Sequence, residues 1–160
     1  MLRLVYDADR DLAPHSRAQP ETAAGRHVLA YWRGLNGGLV PERMAIDPVR
    51  LFGYLPCIAM FEKVATLGWR CRVSGSQLTL AGVHGGDLMD AALGLEARRC
   101  AELAAVRRAP WLMQGAGVEV LFLPLRSYSL VFEPDRMMVL AAPTGVIPDK
   151  IGYVSDRSLA

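Results

Sequence analysis

The sequence predicts an α+β fold: a five-stranded antiparallel sheet with helices on one face and a helical extension at its N-terminal end. Two observations carry that expectation. Segments with helical and strand periodicity follow one another as two helices, two strands, short helices, one longer helix and three strands. Most connections between neighbouring strands are short, which suits antiparallel pairing better than alternating βαβ units. The chain, at 160 residues, has room for one domain and a real core but not for two. Its 52% apolar and 21% charged residues are ordinary globular proportions. The expected organisation is an arm over 1–20, a single domain over 21–145 and a tail over 146–160.

The arm is polar, carries Pro14 and Pro20, and offers an early strand at Leu2 to Tyr6. From Glu21 the pattern turns helical: Val28, Trp32 and Leu35 recur at i, i+4 and i+7, with Pro20 before the run and Gly37-Gly38 after it. Trp32 is predicted to be buried. After a loop from Gly37 to Ile46, Asp47-Pro48 supplies an N-cap carboxylate followed by proline at the first helical position. Leu51, Phe52 and Leu55 then share a helical face, and Pro56 stops the helix.

Beyond Pro56 the period shortens. Cys57 to Val64 is a short apolar run, Ala65 to Gly68 a turn, and Trp69, Cys71 and Val73 alternate with Arg70, Arg72 and Ser74, which predicts a hairpin with one face in and one out. SGSQLTLAGVHGGD, with four glycines, suits a short helix between tight turns. Leu95, Leu103 and Val106 restore helical spacing over Leu93 to Ala109, where Pro110 ends the run. Trp111 to Met113, Val118 to Leu125 and Met137 to Ala142 are the last three strands; the middle one is apolar on both faces, as for a strand in mid-sheet.

The charge balance, 18 basic against 16 acidic residues for a net +2, argues against a nucleic-acid backbone or a membrane as partner. Arg98-Arg99 and Arg107-Arg108 read as a solvated helix face. The apolar run before Asp7 is far shorter than the core of a signal peptide, and no stretch approaches the roughly 18 apolar residues of a membrane span; a cytoplasmic location is expected. Cys57, Cys71 and Cys100 are far apart and read as free buried thiols, and with His15, His27 and His84 equally scattered no metal site is expected.

Several motifs occur in a recognisable order: YWRGLNGG, PERMAIDP, YLP, WRCRVSGSQL and GGDL. Together with the order of elements they resemble a PAS-like family of single-domain proteins from proteobacteria. The resemblance spans Tyr31 to Gly145 and rests on Tyr31, Trp32, Arg43, Asp47, Pro48, Gly75 and Asp87. The chain departs from the family at Ala45, where a second acidic residue is usual, and at Met89-Asp90, where Thr-Gly would make a tight turn after Leu88. The resemblance implies a lid of two helices joined by a glycine turn and docked on the sheet, within which Arg43 pairs with Asp47 or caps a helix end. It also implies a sensory or interaction module, in some members with a flavin, a haem or a metabolite between sheet and helices.

The residues themselves supply no catalytic set. No cysteine has the context of a photoactive flavin site, and Cys100, between Arg99 and Ala101, reads as packing. His84 in GVHGGD reads as a turn residue rather than a haem ligand. That loop lacks the Lys-Ser/Thr of a P-loop, and Ser74-Gly75-Ser76 lacks the glycine spacing of a nucleophile elbow. Asp87 is expected to cap the following helix or close the Gly-Gly turn, and Glu96 and Glu102 to be solvated. Neither flavin nor haem is expected. Phe61, Trp69, Cys71, Val73, Leu121, Leu123 and Met138 describe either an apolar pocket or an ordinary core. The expected function is non-catalytic signalling through a partner protein or a second copy, with Leu4, Tyr31 and Leu35 as surplus apolar surface for a homodimer. The alternative is a sensor holding a small apolar or aromatic metabolite.

Overall fold

The computed structural model describes residues 19–115 and 117–144. The strand expected at Leu2 to Tyr6 and the tail lie outside them. Helix α1 covers Ala23–Leu35 and starts at Thr22, whose hydroxyl accepts from the Gly25 amide at 2.8 Å, rather than at Pro20. Its buried stripe is Gly25, Val28, Leu29 and Trp32, with Leu35 half-buried. Gly37 and Gly38, at φ 60° and 88°, reverse the chain beyond Asn36.

After a 3₁₀ turn at Arg43–Ala45 the second helical segment is not an α-helix but a 3₁₀ helix, Pro48–Cys57, capped by the Asp47 carboxylate, which accepts from the Val49 amide at 3.0 Å. The shorter pitch changes which residues share a face. At 3.6 residues per turn Leu51, Phe52 and Leu55 lie together; at three per turn Leu51 aligns with Tyr54, and Phe52 with Val49. Leu51 is therefore buried, whereas Phe52, expected to be buried with it, is 78% exposed. Pro56 falls inside the last turn rather than ending the helix before it.

Strands β1 (Ile58–Val64) and β2 (Gly68–Ser74) form the expected hairpin. Its register shifts between Met60 and Phe61: Met60 faces Val73 but Phe61 faces Cys71, so β2 carries Arg72 as an extra residue. The bulge breaks the strict alternation. Trp69 and Cys71 point inward as predicted, and Val73 turns out to be 65% exposed.

Two five-residue helices, α2 (Ser76–Leu80) and α3 (Met89–Leu93), precede α4 (Leu95–Arg107). Met89-Asp90 thus opens a helix instead of a tight turn. In α4 the large apolar residues mislead: Leu95 and Val106 are exposed, and the buried stripe is Ala97, Cys100, Ala101, Ala104 and Ala105. Small side chains let the helix lie close to the sheet, where Trp111, Val120 and Phe122 fill the space between them.

Strands β3 (Trp111–Gly115), β4 (Val118–Leu125) and β5 (Arg136–Pro143) complete one antiparallel sheet in the order β2-β1-β5-β4-β3. Alternation along β4 and β5 divides the core in two. Val120, Phe122, Met137 and Val139 pack under α2 to α4, while Leu121, Leu123, Met138 and Leu140 pack under α1 and the 3₁₀ helix. The sheet is thus a middle layer, with the N-terminal extension covering the face opposite the main helices. Among the described residues no helix is long and apolar enough to cross a membrane.

Candidate functional site

The seven side chains expected around one pocket do not meet. Phe61, Trp69 and Cys71 belong to the core under α2 to α4; Leu121, Leu123 and Met138 belong to the core under α1; Val73 belongs to neither. Successive residues of a strand point to opposite faces, so a set combining Leu121 and Met138 with Phe61 is divided by the sheet itself. The site between sheet and main helices is lined instead by Phe61, Trp69, Cys71, Val83, Met89 and Phe122, all buried. One polar atom stands out there. The Trp69 indole N–H is fully buried and donates to no acceptor among the described residues, and such an unmet donor costs about 1–3 kcal/mol.

Nothing at this site is a ready nucleophile. All three cysteines are free, Cys71 and Cys100 buried and Cys57 half-buried. Burial pushes the Cys100 thiol up to about 12, with Glu96 adding to the rise and Arg99 opposing it. Burial also raises Cys57, and raises Cys71 with help from Asp87. Thiols held this far toward the protonated form do not attack at neutral pH. Among the described residues no three His, Cys, Asp or Glu side chains group as a metal site.

The opposite face carries a feature that periodicity does not reveal. Glu119 on β4 is 1% exposed. Its carboxylate accepts from the backbone amides of Glu21 at 2.7 Å and Thr22 at 3.3 Å, from the Thr22 hydroxyl at 2.7 Å, and from the Gln114 amide group at 3.3 Å. A buried anion thereby meets the free donors at the start of α1, where the helix dipole also favours it. A Cβ on Gly25 would collide with Glu119 Oε1 and with Pro20, so only glycine lets the helix come this close. The sequence signal was available: Glu119 is the one charged residue in VEVLFLPL.

The other end of α1 is tied down through its aromatics. Buried Trp32 donates from Nε1 to the Pro124 carbonyl at 2.9 Å. The Tyr31 hydroxyl accepts from the Asp47 amide at 2.7 Å and donates to the Ala45 carbonyl at 3.4 Å, joining α1 to the start of the 3₁₀ helix. Asp47 and Pro48 are therefore the cap and first residue of that helix. Arg43 does not pair with Asp47, whose carboxylate is engaged by Val49; the Arg43 amide donates to the Arg126 carbonyl at 2.7 Å and its side chain is exposed.

Gly75 and Asp87 serve the edge of the sheet. The Gly75 amide donates to Ile58 at 2.8 Å, and a Cβ there would run into the Leu55 and Pro56 carbonyls. Asp87 accepts from the His84 amide at 2.9 Å and closes the Gly-Gly turn. That turn lies along the outer edge of β2: Cys71 donates to the Asp87 carbonyl and Gly86 to the Cys71 carbonyl, both at 2.8 Å. GVHGGD thus satisfies an edge strand that would otherwise offer its backbone to other chains. Next to it, on the α1 side of the sheet, Glu62 gathers Arg70 at 2.6 Å, Arg72 at 3.4 Å and Arg136 at 3.8 Å. The hydrogen bond from Arg70 and the surrounding guanidinium charges hold its carboxyl below the usual range, against a smaller opposing effect of burial.

An antiparallel sheet in the order 2-1-5-4-3 with helices between its second and third strands defines an α+β module. Residues 21–95, just under half of the chain, match a family model described as a PAS domain. The match supports a PAS domain, and the sheet has the strand order of that fold. The matched stretch runs from the approach to α1 to the first residue of α4, while β3, β4 and β5 lie beyond it. No curated protein and no solved structure matches the chain. A PAS domain suggests a sensory or signalling role.

Proposed function

We propose that the protein is a non-catalytic PAS-like signalling module of the single-domain type, acting through contact with a protein partner or with a second copy of itself. One observation carries this reading. The core between the sheet and the main helices is occupied by large side chains of less than 2% exposure, Phe61, Trp69, Phe122, Met89, Met113 and Met137, while large apolar residues such as Val49, Phe52 and Leu80 face solvent. A filled interior beside an exposed apolar surface favours recognition at the surface. No flavin, haem or metal enters this reading.

A second reading rests on Trp69. Its unmet buried N–H favours a small, largely apolar metabolite carrying one hydrogen-bond acceptor, held beneath α3 and α4. Native mass spectrometry beside the denatured mass separates the two. A ligand-free protein that self-associates supports the contact reading. Extra mass lost on denaturation, and lost from a Trp69→Phe variant that keeps its fold, overturns it in favour of the metabolite.

A further inference from the structure

The two edges of the sheet are not alike. At β2 the turn GVHGGD takes up the outward backbone groups, Cys71 donating to the Asp87 carbonyl and Gly86 to the Cys71 carbonyl. At the other end of the sheet β3 is outermost. Its phase follows from the turn that joins it to β4. Gly115 and Val118 pair across two intervening residues, and a turn of that length closes on a hydrogen-bonded pair. On its other side Val118 faces Pro143, which has no N–H to give, so the backbone groups of Val118 belong to Gly115. Alternation then turns Trp111, Met113 and Gly115 toward β4, and the N–H and C=O of Leu112 and Gln114 outward. Among the described residues no backbone group meets those of Leu112 and Gln114 on that side. Strand β3 carries no charge, no proline and no bulge, the usual guards of an open edge.

We infer that the outer edge of β3 is closed by the chain's own N-terminal arm, residues 2–6 adding to the sheet as a further strand. The place where the arm joins the fold points to this occupant. The Glu21 amide donates to Glu119 Oε2 at 2.7 Å, and the same oxygen accepts from the Gln114 side chain of β3 at 3.3 Å. The described chain therefore begins beside β3, with residues 1–18 before it. Residues 7–18, fully extended, reach roughly 40 Å, whereas the length of β3 is only about 17 Å. The arm can thus lie along β3 in either direction. Its sequence suits a strand: Leu2, Leu4 and Tyr6 alternate with Arg3 and Val5, with neither glycine nor proline among them. The C-terminal tail is a poorer fit, because Pro148 and Gly152 interrupt its apolar residues.

The test is residue-resolved hydrogen exchange, by NMR, on the full chain, on a chain lacking residues 2–7, and on the double variant Leu4→Pro with Val5→Pro. Adjacent prolines remove the donor that faces β3 in either phase of pairing. The Leu112 and Gln114 amides should exchange at least about tenfold more slowly in the full chain than in either variant. Met113, which donates to β4, and Cys71, which donates to Asp87, should keep their protection in all three and so verify the fold. Fast exchange of Leu112 and Gln114 in the full chain overturns the closure whatever the variants do. Equal protection in all three proteins gives the edge to another segment and overturns the arm as its occupant. Protection that rises with protein concentration gives the edge to the arm of a second copy and overturns closure within the chain.

Discussion

Under α4 the sheet is covered by alanines and a cysteine that sit almost against it, with Phe122, Val120 and Trp111 filling the space between; under α1 it is covered by a helix held at both ends by hydrogen bonds. The inner cover has few individual anchors because close packing along its whole length does the holding. The outer cover depends on a small set of nameable groups: Glu119 with the amides of Glu21 and Thr22, Trp32 with the Pro124 carbonyl, and Tyr31 with Asp47. The first kind of layer is lost only with the whole fold. The second can be loosened by itself.

The largest effect should come from the inner face. Phe122→Ala removes a fully buried ring from beneath α4, and a cost of about 3–5 kcal/mol is expected. Chemical denaturation should show a lower midpoint by every probe together, because this layer has no separate way to open. Loss of α1 alone, with the rest of the sheet unaffected, would break the comparison.

Next in size is the clasp. Glu119→Ala strips four donors of their acceptor, two of them backbone amides, and about 1–3 kcal/mol should be lost. The loss should be local. Hydrogen exchange should quicken in α1 while the amides of α4 and β4 keep their protection. Uniform loss of protection would mean that the outer cover is as integral as the inner one.

The contrast between the faces also explains which parts of the fold the sequence discloses. Strand β4 and the end of α1 were legible because Val118 to Leu125 is unbroken and Gly37-Gly38 marks a stop; each is decided by local residue type. The stripe of α4 was hidden because alanine contributes little to a periodicity judged on large side chains, so Leu95 and Val106 drew the prediction to the solvent side. Phe52 and Val73 were misplaced by geometry that no spacing announces, a 3₁₀ pitch in one case and a bulge in the other. The division of the expected pocket between two faces follows from combining strands without knowing their relative phase. Glu119 was visible only as an anomaly, a charge in an apolar strand, and its meaning depended on a helix start 97 residues away.

The smallest effect concerns Glu62, which lies on the same face as α1, half-buried beneath arginines that are more exposed than it is. Its carboxyl is held low chiefly by the Arg70 hydrogen bond, with Arg72 and Arg136 adding charge. A carboxyl lowered on folding stabilises the native state fully above its unfolded pKa, and that stabilisation disappears as pH falls through the lower, folded value. Acidification from neutral pH through the carboxylate range should therefore remove the Glu62 contribution. Arg70 and Arg72 are 43% and 60% exposed, so it should amount to under about 1 kcal/mol and shrink with added salt. Comparing the pH dependence of unfolding in wild type and Glu62→Gln isolates it: the two curves should differ at neutral pH and converge in acid. Parallel curves would mean that the arginines do not hold this carboxyl.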